Sequence, residues 1–313
     1  MEATATPPST SAVNEYPTEA EFLTWEHDAV RPHTTNKSVI FSPGGSSRWY
    51  FLEYGNMQEG YFQPDRFMAY SKAVFKRIVE IASMMMADGV KNVFIIAITP
   101  KISERTPEYR QFVADSLRLM ADQEAQLLYA EASIRVGFKG RWQEILDAYE
   151  IPGVYNAFTD AETATAAGEH NLFWCTQEDP IPAPLTPFVQ EYLQTNNRLP
   201  NQSELCEAYY GETVTHADIF ISNNKPSVTG QVPPLLSVGD LYFTMSPCLY
   251  LNQSDWRRVL YDHVFARRVT YRDYRKITED SVNNLKNYYD NNRGKVIGVG
   301  AFHPDTQTWR PTN

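Results

Sequence analysis

"VIFSPGGSSRWYFLEYG", residues 39–55, runs from a β-branched stretch into Ser-Pro-Gly-Gly-Ser-Ser and then directly into Arg48 and Trp49. It reads as a strand, a tight turn and the first turn of a helix, a geometry that offers free backbone N–H groups to an anion. Gly44 and Gly45 permit positive φ, so that N–H groups can converge. Ser46 and Ser47 can cap the helix or donate to phosphate oxygens, and Arg48 adds a cation with fork geometry. The spacing matches neither the nucleotide P-loop nor Gly-x-Gly-x-x-Gly. The turn contains no carboxylate to hold a metal or accept a proton. On spacing alone, a plain turn competes with a phosphate site.

Outward from this turn, strand-like and helical stretches alternate. Strands are predicted at 38–42, 92–98 (NVFIIAI, a continuous apolar run as in a strand buried on both faces), 133–138, 171–176, 217–222 and 240–245, with a late edge strand within 295–302. Helices are predicted at 64–88, where Pro64 suits the start and Gly89 the end, and at 107–130, 185–195, 202–210 and 253–268. The alternation predicts an α/β fold, a mostly parallel central sheet flanked by helices on both faces. In such sheets ligands collect at the C-terminal strand ends, where residues 42–49 lie.

The chain has 313 residues, enough for one large α/β domain or two small ones, and its net charge of −10 argues against a general nucleic-acid binder. Residues 1–20, rich in Pro, Ser, Thr and Ala, are expected to form a disordered tail, with one domain over 21–313. The three cysteines, Cys175, Cys206 and Cys248, are far apart and read as buried thiols in a reducing compartment. There is no apolar leader and no long apolar run, so a soluble cytoplasmic protein without a transmembrane segment is expected. The six histidines show no metal-ligand spacing, and no GxSxG elbow occurs.

Other residues stand out singly. Asp240, in PPLLSVGDLYFTMSPCLY (233–250), could bind Mg²⁺ or simply cap a turn. Tyr70, on the helix after the turn, could steady a carbocation or shift a proton, or be a core aromatic with a polar tip. Arg105 follows the 92–98 strand, again at the C-terminal edge. Arg257, Arg258, Arg267 and Arg268 read as a basic helix face, and the adjacent Asp262 and His263 point in different directions.

Taken together, these stretches resemble the cis-prenyltransferases. Strand–turn–Arg-Trp at 39–49 is similar to their Asp-Gly-Asn-Gly-Arg-Trp signature, SIRVGFKGRW (133–142) to the Arg-Val-x-Gly strand, ADIFIS (217–222) to Asp-Leu-x-Ile-Arg, and DLYFT (240–244) to Glu-Leu-Tyr-Phe-Thr. The longer stretches 207–221, 233–251, 257–268 and 296–302 resemble a divergent branch that hands a C20 prenyl group to a small acceptor or water.

The resemblance implies the cis-prenyltransferase fold, a prenyl diphosphate substrate and a homodimer packed through the C-terminal part. It implies that Gly45, Ser46, Ser47, Arg48 and Arg105 bind diphosphate, that Tyr70 and Arg48 act in catalysis, and that Asp240 shares Mg²⁺. Trp49, Met84 and Met85 are expected to wall a hydrocarbon pocket. Two departures matter. Gly44 replaces the signature aspartate, and Ser222 stands where the first arginine of the isopentenyl diphosphate site belongs. These point to ionisation of a C15 or C20 allylic diphosphate, followed by transfer to a small acceptor or water or by cyclisation, rather than chain elongation. The alternative is a catalytically silent partner subunit, such as those that lack the aspartate.

Overall fold

In the computed structural model, the described residues are 16–55, 64–98, 106–148, 153–176, 182–223, 225–228, 233, 235–267, 277–306 and 308–312. They include a six-stranded, all-parallel sheet made of β1 (Ser38–Phe41), β2 (Asn92–Ile98), β3 (Ile134–Lys139), β4 (His170–Thr176), β5 (His216–Asn223) and β6 (Ser237–Thr244). Their spatial order is β3-β4-β2-β1-β5-β6. After β1 the chain moves to β2 on one side; after β5 it moves to β6 on the other. The C-terminal ends of β1 and β5 therefore flank a topological switch point, the place where open α/β sheets leave a crevice.

Side-chain alternation along the strands builds two cores. Val39, Phe41, Ile95, Trp174, Ile219 and Ile221 pack on one face with the long helix α4 (Pro64–Ala87), which follows α1 (Glu19–Leu23), α2 (His27–Thr34) and α3 (Ser46–Tyr54). Ile40, Phe94, Phe173, Cys175 and Phe220 face the other side. They meet Leu185 of α9 (Pro182–Asn196) and Cys206, Tyr209 and Tyr210 of α10 (Gln202–Tyr210). β1 is buried on both faces, as its unbroken apolar run requires.

Several expectations are refined. The helix expected over 107–130 is two helices, α5 (Pro107–Arg118) and α6 (Gln123–Glu131). The Asp122 side chain accepts from the Ala125 N–H and starts α6. Between β3 and β4 lie α7 (Trp142–Ala148) and α8 (Val154–Ala164). The expected helix 253–268 is α11 (Gln253–Tyr261) running into a π-helical turn, Asp262–Ala266. The late strand does not join the main sheet. After α12 (Glu279–Asn292), β7 (Gly300–His303) pairs antiparallel with β8 (Thr308–Pro311) in a separate hairpin.

Residues 1–15 lie outside the described residues, whereas 16–20 are held in the fold. Thr18 and Glu21 form a capping box, and the Tyr261 hydroxyl donates to Pro17 O at 3.1 Å.

A buried ion pair ties the end of α4 to α11. Arg257 donates to both oxygens of Asp88, at 2.5 and 2.6 Å, and to Trp25 O at 2.9 Å. His27 and Gln253 complete the shell around the carboxylate. All three cysteines are buried, and none forms a disulfide among the described residues. Among the described residues no helix is long and apolar enough to cross a membrane.

Candidate active site

The turn after β1 is fixed from three directions. Ser42 N–H donates to Ile221 O of β5 at 2.9 Å, Gly44 N–H to Ser42 O at 2.7 Å, and Cys248 N–H to Gly44 O at 3.1 Å. Cys248 begins the short 3-10 turn Cys248–Tyr250, which Arg77 of α4 holds by donating to Leu249 O and Leu251 O, each at 2.9 Å. The MSPCLYL segment thus props the turn from behind. Burial pushes the Cys248 thiol up to about 11.

Gly45 is the N-cap of α3, with φ of 78°, and no side chain caps the helix. The first N–H groups of a helix lack intrahelical partners and carry the positive end of its dipole. An uncapped helix start at a switch point is suited to an anion.

This helix start opens onto a cavity of about 400 Å³. Ser42, Gly44 and Ser46 form its polar mouth, while Phe67, Tyr70, Val74, Phe75 and Ile78 of α4, Ile96 and Ile98 of β2, and Val113 and Leu117 of α5 line its wall. Trp174 and Phe75 stack at 5.7 Å, and Trp174 Nε1–H donates to the Tyr129 hydroxyl at 3.0 Å. Two serines break the apolar lining. Ser71 and Ser116 hydrogen-bond each other at 2.6 Å, and Ser116 also donates to Phe112 O.

Tyr70 sits at the mouth, its hydroxyl 2.8 Å from Ser46 Oγ and its ring edge-to-face with Tyr50. Arg48 folds back over the turn, its Nη2 3.1 Å from where a Cβ on Gly45 would lie. Arg48 also lines a second cavity of about 660 Å³, bounded by Leu52, Tyr242, Phe243, Met245 and the β7–β8 hairpin. The turn and the start of α3 therefore lie between two cavities.

The structure brings together Gly45, Ser46, Ser47, Arg48 and Tyr70, and leaves the others elsewhere. Arg105 lies outside the described residues. Trp49 and Met85 are buried in the core and Met84 packs against it; none of the three lines the cavity, toward which α4 turns Phe67, Tyr70, Val74, Phe75 and Ile78 instead. Asp240 lies mid-strand on β6, four residues before its end, roughly 13 Å along the strand. It is held by His263 Nδ1 at 2.7 Å and Arg267 Nη1 at 3.3 Å. Arg267 also pairs with Asp262, which accepts from the Tyr242 hydroxyl at 2.7 Å.

The donor set at the turn therefore does not fit a magnesium ion. Gly44 supplies no ligand, Asp240 is engaged by His263 and Arg267, and no three His, Cys, Asp or Glu side chains gather among the described residues.

One residue at the turn escapes a reading of the sequence. Asn223, the last residue of β5, reaches across to the two glycines of the turn. Its signal was positional: it ends the strand that borders β1 at the switch point.

No family profile matches the chain. Over 273 residues it is 29% identical to tuberculosinyl adenosine transferase of Mycobacterium tuberculosis, covering 85% of this chain and 88% of that one. Over 295 residues it is 26% identical to (+)-kolavelool synthase of Herpetosiphon aurantiacus, covering 91% and 92%. Among solved structures, lavandulyl diphosphate synthase from Lavandula x intermedia, in complex with dimethylallyl diphosphate, superposes with a TM-score of 0.56 at 16% identity, over 75% of this chain and 98% of that one. A probable undecaprenyl diphosphate synthase from Campylobacter jejuni gives 0.50 at 12% identity, over 76% and 98%. The fold is that of the cis-prenyltransferases. Its curated relatives are a transferase and a terpene synthase.

Proposed function

We propose that the protein is an enzyme of terpenoid metabolism that ionises an allylic prenyl diphosphate, C15 or C20, without elongating it. The observation that carries this reading is the apolar cavity of about 400 Å³ whose mouth is an uncapped helix N-terminus. The diphosphate rests on the amides of Gly45, Ser46 and Ser47, beside Arg48, and Arg105 joins them in this reading. The allylic C–O bond breaks heterolytically, its electron pair leaving with the diphosphate, whose growing charge these donors stabilise. The cation stays among the rings of Phe67, Tyr70, Phe75 and Trp174, which can face it with π electrons. It then forms a bond to a lone pair of water or a small acceptor, which loses a proton, or it cyclises and sheds a proton itself.

The second cavity, on the far side of Arg48, has room for the acceptor. With its hydroxyl against Ser46, Tyr70 serves through its ring toward the cation and through Ser46 toward the diphosphate. An intact cradle and chamber have no use in a catalytically silent subunit, which favours the enzyme.

The test is to incubate the purified protein with C10, C15 and C20 prenyl diphosphates, with and without Mg²⁺, and to assay released diphosphate. Turnover is expected; none with any substrate, alone or with nucleoside acceptors, sinks the reading.

We also propose a homodimer. Strand β6 is a sheet edge with Leu241 and Met245 exposed, and Ile297 and Phe302 of the C-terminal segment are likewise exposed. Ile297→Asp is expected to shift the sedimenting species from dimer to monomer, and a wild-type monomer at micromolar concentration rules the dimer out.

A further inference from the structure

The cradle lacks its family's carboxylate, yet the space is not vacant. A Cβ built on Gly44 would overlap Oδ1 of Asn223, so the asparagine amide stands where a side chain at position 44 would stand. A Cβ on Gly45 would lie 2.8 Å from Asn223 Nδ2, 3.1 Å from Arg48 Nη2 and 3.2 Å from Pro247 Cβ. The asparagine amide and the guanidinium thus flank one point above the glycine pair. Asn223 Nδ2 is buried from solvent and has no hydrogen-bond partner among the described residues. An unpaired buried amide donor is costly to a fold unless something supplies its acceptor. The residue comes from β5 and the turn from β1, the two strands that flank the switch point.

We propose that Asn223 is a diphosphate-binding residue, its Nδ2–H donating to a leaving-group oxygen held against Arg48 and the start of α3. A neutral donor takes the place that a metal-bound carboxylate would fill, and Gly44 is glycine because Asn223 occupies its side-chain space. This rests on the diphosphate reading above and names one more contact within it. The arrangement also accounts for a mouth whose donors are N–H and O–H groups, with no carboxylate among the described residues lining the cavity.

The experiment compares wild type with Asn223→Leu, which keeps the shape without the donor, and Asn223→Ser, which keeps a shorter donor. Readouts are diphosphate release from a C20 prenyl diphosphate, the inhibition constant of inorganic diphosphate, and the melting temperature. Loss of one hydrogen bond to a charged group is expected to weaken inhibition by diphosphate and lower kcat/KM by about 10- to 100-fold in Asn223→Leu. Asn223→Ser is expected to be intermediate, and both variants to melt as cooperatively as wild type.

A cycle with Gly44→Ala separates cradle from scaffold. Alone, the alanine displaces Asn223 and is expected to reproduce the Asn223→Leu loss. Added to Asn223→Ala, it is expected to cost less than a further twofold. Unchanged diphosphate inhibition in Asn223→Leu, or independent losses in the cycle, overturns the assignment. A wild type that releases no diphosphate from any prenyl substrate overturns the underlying reading instead.

Discussion

Tyr70→Phe tests whether the tyrosine hydroxyl acts through Ser46 or on the hydrocarbon. The change removes one oxygen and keeps the ring, whose contacts with Tyr50 at 5.4 Å and Phe67 at 5.6 Å should hold it in place. The oxygen is 2.8 Å from Ser46 Oγ, the length of an ordinary hydroxyl–hydroxyl bond. A neutral bond of this kind contributes about 0.5–1.5 kcal/mol net, so a hydroxyl that only orients Ser46 should lower kcat/KM by roughly 2- to 10-fold. Ser46→Ala should cost about the same. The double variant should lose no more than the worse single one, leaving a coupling of about 1 kcal/mol.

Steady-state diphosphate release supplies the rates, and inhibition by inorganic diphosphate shows whether the loss lies at the cradle. A hydroxyl that itself moved a proton to or from the hydrocarbon would count for far more, ~100-fold or above. A loss of that size in Tyr70→Phe, with Ser46→Ala nearly silent, would refute the Ser46 linkage and assign the hydroxyl to the cation. Additive losses would refute it as well.

Three further outcomes are expected. Asp88→Asn leaves the buried Arg257 guanidinium without its counter-charge and should destabilise the protein by about 3–5 kcal/mol, lowering the melting temperature by roughly 10 °C; calorimetry showing under ~1 kcal/mol would mean that the pair is not buried as described. The raised Cys248 pKa makes the folded state favour the neutral thiol, so this stabilisation is intact below about pH 9 and lost as pH rises toward about 11. Cys248→Ala should flatten the melting temperature over that window, and identical pH profiles would contradict this. Val74→Trp fills part of the chamber and should depress turnover of the C20 diphosphate more than the C10 in a competition assay; an equal loss with both would argue against a hydrocarbon chamber.

Much of the fold was legible because parallel strands buried on both faces leave continuous apolar runs, as at NVFIIAI and NLFWCT. The break at 119–122 was hidden because Leu119, Met120 and Ala121 are buried there and keep the run apolar between two helices. VIGVGAF looks like a core strand, yet it contributes β7 to a separate two-stranded hairpin and leaves Val296, Ile297, Val299 and Phe302 exposed; an apolar run does not by itself say whether it is buried. At the site, the turn and Tyr70 were readable from local order. Asn223 was not, since its meaning comes from a neighbouring strand 179 positions away along the chain from Gly44, brought beside it by the sheet. Met84 and Met85 misled because helical position, not residue type, decides which side chains face a cavity.

The division between a polar mouth and an apolar chamber has a consequence for the end of the catalytic cycle. In the proposed reaction, substrate is anchored by charge at one end and by oil-like contact along the rest. Once diphosphate departs, only the second hold remains, and each methylene in the chamber still favours staying by about 0.8 kcal/mol. Bulk water gives the product little reason to leave. In the proposed reaction the departing terpenoid would need an apolar sink at the cavity mouth, and a lipid surface nearby would set the pace of turnover.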